Sequence, residues 1–132
     1  MLVAWTRFLV LAAALALLPS CGAQKENDAR SREAALKRGL GLLQGADVRC
    51  EENECAVIAP FRLSTSYTAL LVVAPVVEKT VTDPDLDGVE TINVTLDDAS
   101  SGQVYSLRCE TAKLGDAPSV TTLQKSCHSI FT

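Results

Sequence analysis

The chain has 132 residues, and its 12 basic and 16 acidic residues give a formal net charge of −4 at pH 7. An acidic chain is a poor candidate for a nucleic-acid-binding protein, because phosphate groups are bound mainly through basic side chains. The length predicts a single domain with a modest core and leaves little room for the cleft of a large enzyme.

The chain begins with an apolar segment in which Arg7 is the only charged residue before Cys21. The wholly apolar run from Phe8 to Leu18 is shorter than the roughly 20 residues that a membrane-spanning helix needs. A positive start, a short apolar middle and small residues at the end are typical of a secretory signal peptide. We therefore predict that residues 1–20 are a signal peptide.

The end of this segment, Leu18-Pro19-Ser20-Cys21, resembles the lipobox of bacterial lipoproteins. The resemblance covers residues 1–21 and implies that the thiol of Cys21 receives a diacylglycerol, since a cysteine thiolate is a good nucleophile. Cleavage would then leave a lipidated tether, residues 21–26, ahead of a single domain over residues 27–132. An ordinary signal peptide whose removal discards Cys21 is the alternative.

A lipid anchor of this kind would hold the domain in the cell envelope, where it would be bound to the membrane through the anchor. Two or three acyl chains give stable anchoring, whereas one chain alone is marginal. The residue after the cysteine is Gly22 rather than aspartate, which by resemblance to enterobacterial sorting favours the outer membrane. The expected location is the periplasmic face of the outer membrane or the cell surface.

Four further cysteines follow Cys21: Cys50, Cys55, Cys109 and Cys127. Export would place them in an oxidising compartment, where an even number predicts two disulfides. Of the three possible pairings we favour Cys50–Cys55, across a hairpin, and Cys109–Cys127, which would tie the C-terminal tail to the sheet.

Residues 27–44 predict a helix that ends at Gly45 as a C-terminal cap. Three leucines repeat along one of its faces: Leu36, Leu40 and Leu43. Two pairs of opposite charges have the favourable i,i+4 spacing: Asp28 with Arg32, and Glu33 with Lys37. Residues 48–58 then predict a β-hairpin around an acidic loop.

Residues 61–82 are ambiguous. Several apolar residues would share one helix face: Tyr67, Leu70, Leu71, Ala74 and Val77. The segment is also rich in β-branched residues and is interrupted by Pro75, which favours two strands that break at this proline. A second helix over about residues 64–80 is the alternative.

Residues 83–88 predict a turn that carries a candidate metal site. Asp83, Asp85, Asp87 and Gly88 match the D-x-D-x-D-G start of an EF-hand calcium loop, although the glutamate of the twelfth position is missing. With Glu90, the three aspartates form a weak calcium candidate. A solvated turn, in which Asp and Gly serve the turn itself, is the alternative.

The rest of the chain predicts further strands. Residues 89–96 and 103–108 alternate between apolar and polar side chains and predict a hairpin around the loop 97–102. Residues 119–123 and 127–131 predict a last pair of strands.

These elements predict an α+β fold, with an N-terminal helix packed on an antiparallel sheet and two disulfides. The sequence contains no G-x-S-x-G motif and no glycine-rich phosphate loop, and His128 is its single histidine. The predicted function is that of a lipid-anchored envelope protein that acts as a non-catalytic binding or structural module. An envelope protein is the expected partner, and no cofactor is required. The alternatives are a calcium-dependent adhesin-like module and a small envelope hydrolase.

Overall fold

The computed structural model describes residues 28–132, which form an α+β fold with one five-stranded sheet, as predicted. The predicted signal peptide, the lipidation of Cys21 and the tether lie outside the described residues. The elements in chain order are α1 (28–38), β1 (Asp47–Glu51), β2 (Glu54–Pro60), α2 (Ser66–Thr82), β3 (Thr91–Asp98), β4 (Gln103–Glu110), α3 (Val120–Ser126) and β5 (His128–Phe131). None of the helices described over residues 28–132 combines the length and the apolar character that crossing a bilayer requires.

The five strands are ordered β1-β2-β3-β4-β5 across the sheet, so that β1 and β5 are its edges. Three neighbouring pairs are antiparallel, in agreement with the prediction, but β2 and β3 run parallel. Helix α2 connects these two strands. A parallel pair needs such a crossover, whereas an antiparallel pair can be joined by a tight turn.

The helices cover one face of the sheet and leave the other face open. In β3, Ile92, Val94 and Leu96 are fully buried, while the alternating Thr91, Asn93 and Thr95 are only partly covered. The other antiparallel strands with buried residues repeat this alternation. One continuous apolar core therefore lies between the sheet and the helices.

The preference for two strands over residues 61–82 is wrong, and the alternative helix is observed. Helix α2 begins after the N-cap Thr65, whose Oγ1 accepts a hydrogen bond from the Thr68 N–H, and it continues through Pro75. Its buried face matches the predicted one only in part, since Leu70 and Val77 are buried but Tyr67 and Leu71 are exposed. The buried residues are Ala69, Leu70, Val72, Val73, Val76, Val77 and Thr80.

Two other boundaries differ from the prediction. Helix α1 ends at residue 38 and not at 44, and the left-handed φ of 57° at Gly41 is incompatible with a continuous α-helix through residue 44. Gly45 therefore does not cap it. Residues 119–123 were predicted as a strand, but Ser119 is the N-cap of α3 and residues 120–123 belong to that helix, whose start has a capping box between Ser119 and Thr122.

Candidate functional site

Both predicted disulfides are present. Cys50 and Cys55 face each other across β1 and β2, with their Cα atoms 4.1 Å apart. Cys109 of β4 is bonded to Cys127, which lies between α3 and β5, at a Cα separation of 4.5 Å. The second bond therefore fastens the final strand to the sheet, as the sequence predicted.

Three of the four candidate carboxylates in and next to the acidic turn after α2 are bonded to different partners. Asp83 accepts a hydrogen bond from Lys79 Nζ at 2.8 Å and another from the Asp85 N–H at 2.9 Å, and these lower the pKa of Asp83. Asp85 pairs with Arg38 at 3.2 Å. Glu90 accepts a hydrogen bond from Asn53 at 2.6 Å.

These contacts hold the turn in place without gathering its carboxylates around one centre. Within residues 28–132 no group of three or more His, Cys, Asp or Glu side chains is arranged to hold a metal ion. The geometry gives the calcium hypothesis for Asp83, Asp85, Asp87 and Glu90 no support, and it stays a prediction. A calcium ion at this turn would have to displace Lys79 and Arg38 from their carboxylates.

Helix α1 binds this turn and the first hairpin through two side chains. Arg32 donates hydrogen bonds to the backbone carbonyls of Glu52, in the hairpin turn, and of Asp87. Glu33 Oε1 accepts a hydrogen bond from the Cys50 N–H at 2.9 Å. Neither residue forms an ion pair within α1 in the described part of the chain, so the two predicted i,i+4 pairs are replaced by contacts with other elements.

A cleft of about 470 Å³ lies between the end of α2 and the turn after β4. Its walls include the carboxylates of Asp83, Asp87 and Asp116 and the apolar side chains of Val81 and Val89. Thr111 also lines it and donates a hydrogen bond to the Val89 carbonyl at 2.7 Å. Asp83 and Thr111 are thus both bonded to other residues of the fold.

A buried carboxylate, Asp98, fixes the other end of α2. Asp98 is the last residue of β3 and accepts hydrogen bonds from the Leu63 N–H at 3.0 Å, from the Ser100 N–H at 3.1 Å and from Ser100 Oγ at 2.6 Å. The hydrogen bond from Ser100 Oγ, followed by that from Leu63, places the pKa of Asp98 well below its ordinary value of 3.8. The segment that leads into α2 is thereby tied to the sheet.

The open face of the sheet carries polar side chains at its centre and apolar ones toward its sides. Ser106 Oγ donates a hydrogen bond to Asn93 Oδ1 at 3.1 Å and lies 3.3 Å from Thr95 Oγ1. Ile58 of β2 and Ile130 of β5 are half exposed in the same cross-strand row as Thr95 and Ser106. The polar side chains at the centre form hydrogen bonds with one another, whereas the two isoleucines contact solvent.

The only histidine in the chain, His128, lies on this open face at the start of β5. Its cross-strand partner is Arg108, whose guanidinium pairs with Glu54 at 3.0 Å. The hydrolase alternative needs a carboxylate beside the imidazole, and the facing residue is a cation instead.

The edge strand β5 carries two of the large apolar side chains that are exposed in the described part of the chain. All four of its residues are exposed, Ile130 and Phe131 among them. The ring of Phe131 packs at 6.2 Å from that of Tyr105. A small cleft of about 160 Å³ adjoins it, and its lining includes Tyr67, Tyr105 and Ser129.

Several residues that make these contacts or form this surface were not predicted from the sequence. Asp98 carried a signal, because an Asp that precedes Ser by two positions favours an Asx turn. Arg32 and Glu33 carried none, since their partners lie 20 and 17 residues away in the chain. The exposure of Ile130 and Phe131 follows from the position of β5 at the edge of the sheet, which the strand pattern alone does not give.

No protein-family model, curated protein or solved structure matches this chain.

Proposed function

We propose that the protein is a lipid-anchored component of the cell envelope that acts as a non-catalytic binding or structural module at the membrane surface. The observation that carries the proposal is the pair of disulfides within one small fold. Disulfides form and persist in oxidising compartments, which a bacterial chain reaches by export. They support the interpretation of residues 1–20 as a signal peptide.

The distance between the anchor and the fold supports a position close to the bilayer. Six residues lie between Cys21 and Asp28, the first helical residue of the described chain. Even fully extended, the seven residue-to-residue steps from Cys21 to Asp28 span only about 25 Å. The domain would therefore lie on or near the membrane and would act on partners that are themselves in the envelope.

A binding or structural role is supported by the surface that the fold leaves uncovered. The helices cover one face of the sheet, and the other face and the β5 edge contact solvent. An exposed sheet edge can accept a strand from another chain.

The anchor can be tested in a bacterial host that expresses the full chain, the Cys21→Ser variant and, as a matched control, the Ser20→Ala variant. Radiolabelled palmitate is expected in the wild type and in Ser20→Ala, since the control keeps a small residue before the cysteine. Cys21→Ser is expected to lose the label while keeping both disulfides. Mass spectrometry of the mature N-terminus identifies the acylated residue. An unlabelled wild type whose N-terminus lies beyond residue 21 would contradict the proposal.

A further inference from the structure

The two edges of the sheet differ in how their outward backbone groups are used. At β1, Glu33 of α1 accepts the hydrogen bond of the outward Cys50 N–H, so part of this edge is already occupied. The β5 edge has β4 on one side and no second strand neighbour among the described residues.

The hydrogen-bond pattern identifies which groups of β5 face outward. Val104 and Thr132 exchange both of their backbone hydrogen bonds, at 2.9 and 3.0 Å. Because antiparallel pairs alternate between bonded and non-bonded, Ile130 and His128 also bond to β4, and Ser129 and Phe131 direct their N–H and C=O groups away from it. The β5 edge therefore presents two donors and two acceptors.

Three features that usually protect an edge strand are missing from this segment. Residues 127–132 contain no proline and no Asp, Glu, Lys or Arg. The helices do not cover β5, since Ser129 and Phe131, which point to the helix side, are exposed together with the other two residues. No bulge interrupts its pairing with β4, whose register is continuous.

We propose that two copies of this chain associate by antiparallel pairing of their β5 strands, with Ile130 on the two-fold axis. In this register Ser129 of each copy faces Phe131 of the other, and all four outward groups of each edge are satisfied. The two Ile130 residues form the central non-hydrogen-bonded pair, in which side chains are closest. The result is a continuous ten-stranded sheet formed by an isologous contact.

The absence of charge at the β5 edge permits a second copy as the partner. The chain carries a net charge of −4, so two copies repel each other overall. The segment 127–132 contains no Asp, Glu, Lys or Arg, and the neighbouring Arg108 forms an ion pair with Glu54. The uncharged edge is thus a part of the surface where two acidic molecules can approach each other closely.

The contact does not depend on the lipid anchor, so the experiment uses the full chain in mild detergent whether or not Cys21 is acylated. A short edge gives a small interface, and we expect a dissociation constant between about 1 µM and 1 mM. Sedimentation velocity over this concentration range measures the association of the wild type. A wild type that stays monomeric up to about 1 mM would overturn the proposal.

Substitutions at two equally exposed isoleucines distinguish association through the β5 edge from association through the open face of the sheet. Ile130→Lys places like charges opposite each other on the axis and is expected to weaken the dimer by about tenfold or more. Ile58→Lys changes a residue of the same type and row, 51% exposed against 50% for Ile130, and is expected to leave the association unchanged. Equal weakening by both variants would show association through the open face and overturn the proposal.

A crosslink tests the register without relying on a variant that could unfold. Ile130→Cys is expected to form a disulfide-linked dimer on mild oxidation, because Cα atoms of a central non-bonded pair are about 4.5 Å apart. Ile58→Cys, which carries an equally exposed thiol, measures random crosslinking. If Ile130→Cys crosslinks no faster than Ile58→Cys on non-reducing gels, the proposed pairing is excluded.

Discussion

At the scale of single residues, Asp98 shows how one buried carboxylate can connect two elements. Its oxygens accept hydrogen bonds from the Leu63 N–H, which leads into α2, and from Ser100 in the β3–β4 turn. The neighbouring Asp97 carbonyl accepts a further hydrogen bond from the Phe61 N–H. The end of β3 therefore fixes both the entry of α2 and the turn that starts β4, and the ionised form of Asp98 is the one that does so.

The pKa of Asp98 leads to a prediction on acid stability. Its pKa in the folded protein lies below 3.8, its ordinary value in an unfolded chain. At pH values between the folded and the unfolded pKa, the unfolded chain therefore binds more protons than the folded protein. The stabilisation is fully present above about pH 4 and is lost as the pH falls toward the folded pKa. Asp98→Asn is therefore expected to be less stable than the wild type at pH 7, with the difference shrinking below about pH 4.

Urea unfolding at a series of pH values from 7 downward measures this difference. Asp97→Asn is the matched control, because Asp97 is adjacent in sequence but exposed. The control is expected to follow the wild type at every pH. A constant gap between Asp98→Asn and the wild type across the whole series would contradict the linkage.

At the scale of elements, α2 shows how burial overrides local preference. A β-branched residue in a helix costs up to about 0.7 kcal/mol relative to alanine. Burying a valine side chain contributes about 1.5 kcal/mol or more. Four valines of α2 are buried against the sheet: Val72, Val73, Val76 and Val77. The gain from packing therefore exceeds the cost of placing these residues in a helix.

Pro75 is the other feature that opposes this helix. It lies inside α2 on the exposed side, where it lacks the N–H that would bond to the Leu71 carbonyl. An internal proline costs a helix about 3 kcal/mol, and its restriction of the unfolded chain returns up to about 1 kcal/mol. We expect Pro75→Ala to raise the free energy of unfolding by about 2 kcal/mol.

Denaturant unfolding of Pro75→Ala and of Glu78→Ala checks this expectation. Glu78 is exposed on the same helix and has a normal backbone N–H, so its substitution is expected to change stability by no more than about 0.5 kcal/mol. If Pro75→Ala is no more stable than Glu78→Ala, the proline is not a strained point of α2.

At the scale of the whole molecule, the two disulfides constrain loops of different length. Cys50–Cys55 spans a sequence separation of 5, within a hairpin that its own turn already defines. Cys109–Cys127 spans 18 residues and includes α3. In the chain-entropy account, closing these loops stabilises the fold by about 2 and about 3 kcal/mol, respectively.

When each bond is removed by paired Cys→Ala substitutions, the loss of stability is expected to follow the same order. Cys109→Ala/Cys127→Ala should lose about 1 kcal/mol more than Cys50→Ala/Cys55→Ala, because the longer loop gains more entropy in the unfolded chain. Each double variant serves as the other's control, since both remove one disulfide. Equal losses, or a larger loss at the hairpin, would mean that native packing around the cysteines outweighs loop length.

The sequence by itself determined the features that depend on neighbours in the chain. The two hairpins follow from alternating side chains around turn residues, and the facing positions of the first hairpin gave the pairing of Cys50 with Cys55. The three leucines predicted around α1 are buried, although the helix itself stops early. Signals of this kind act over a few residues and need no knowledge of the rest of the fold.

The tertiary structure decided what depends on distant partners. Residues 66–82 could form strands or a helix, and the sheet that buries their valines selected the helix. That helix in turn made β2 and β3 parallel, which no local pattern predicted. The partners of Arg32 and Glu33 and the exposure of the β5 edge were likewise decided by the tertiary structure. Hydrogen bonds and burial between remote segments contribute to stability only once the fold brings those segments together.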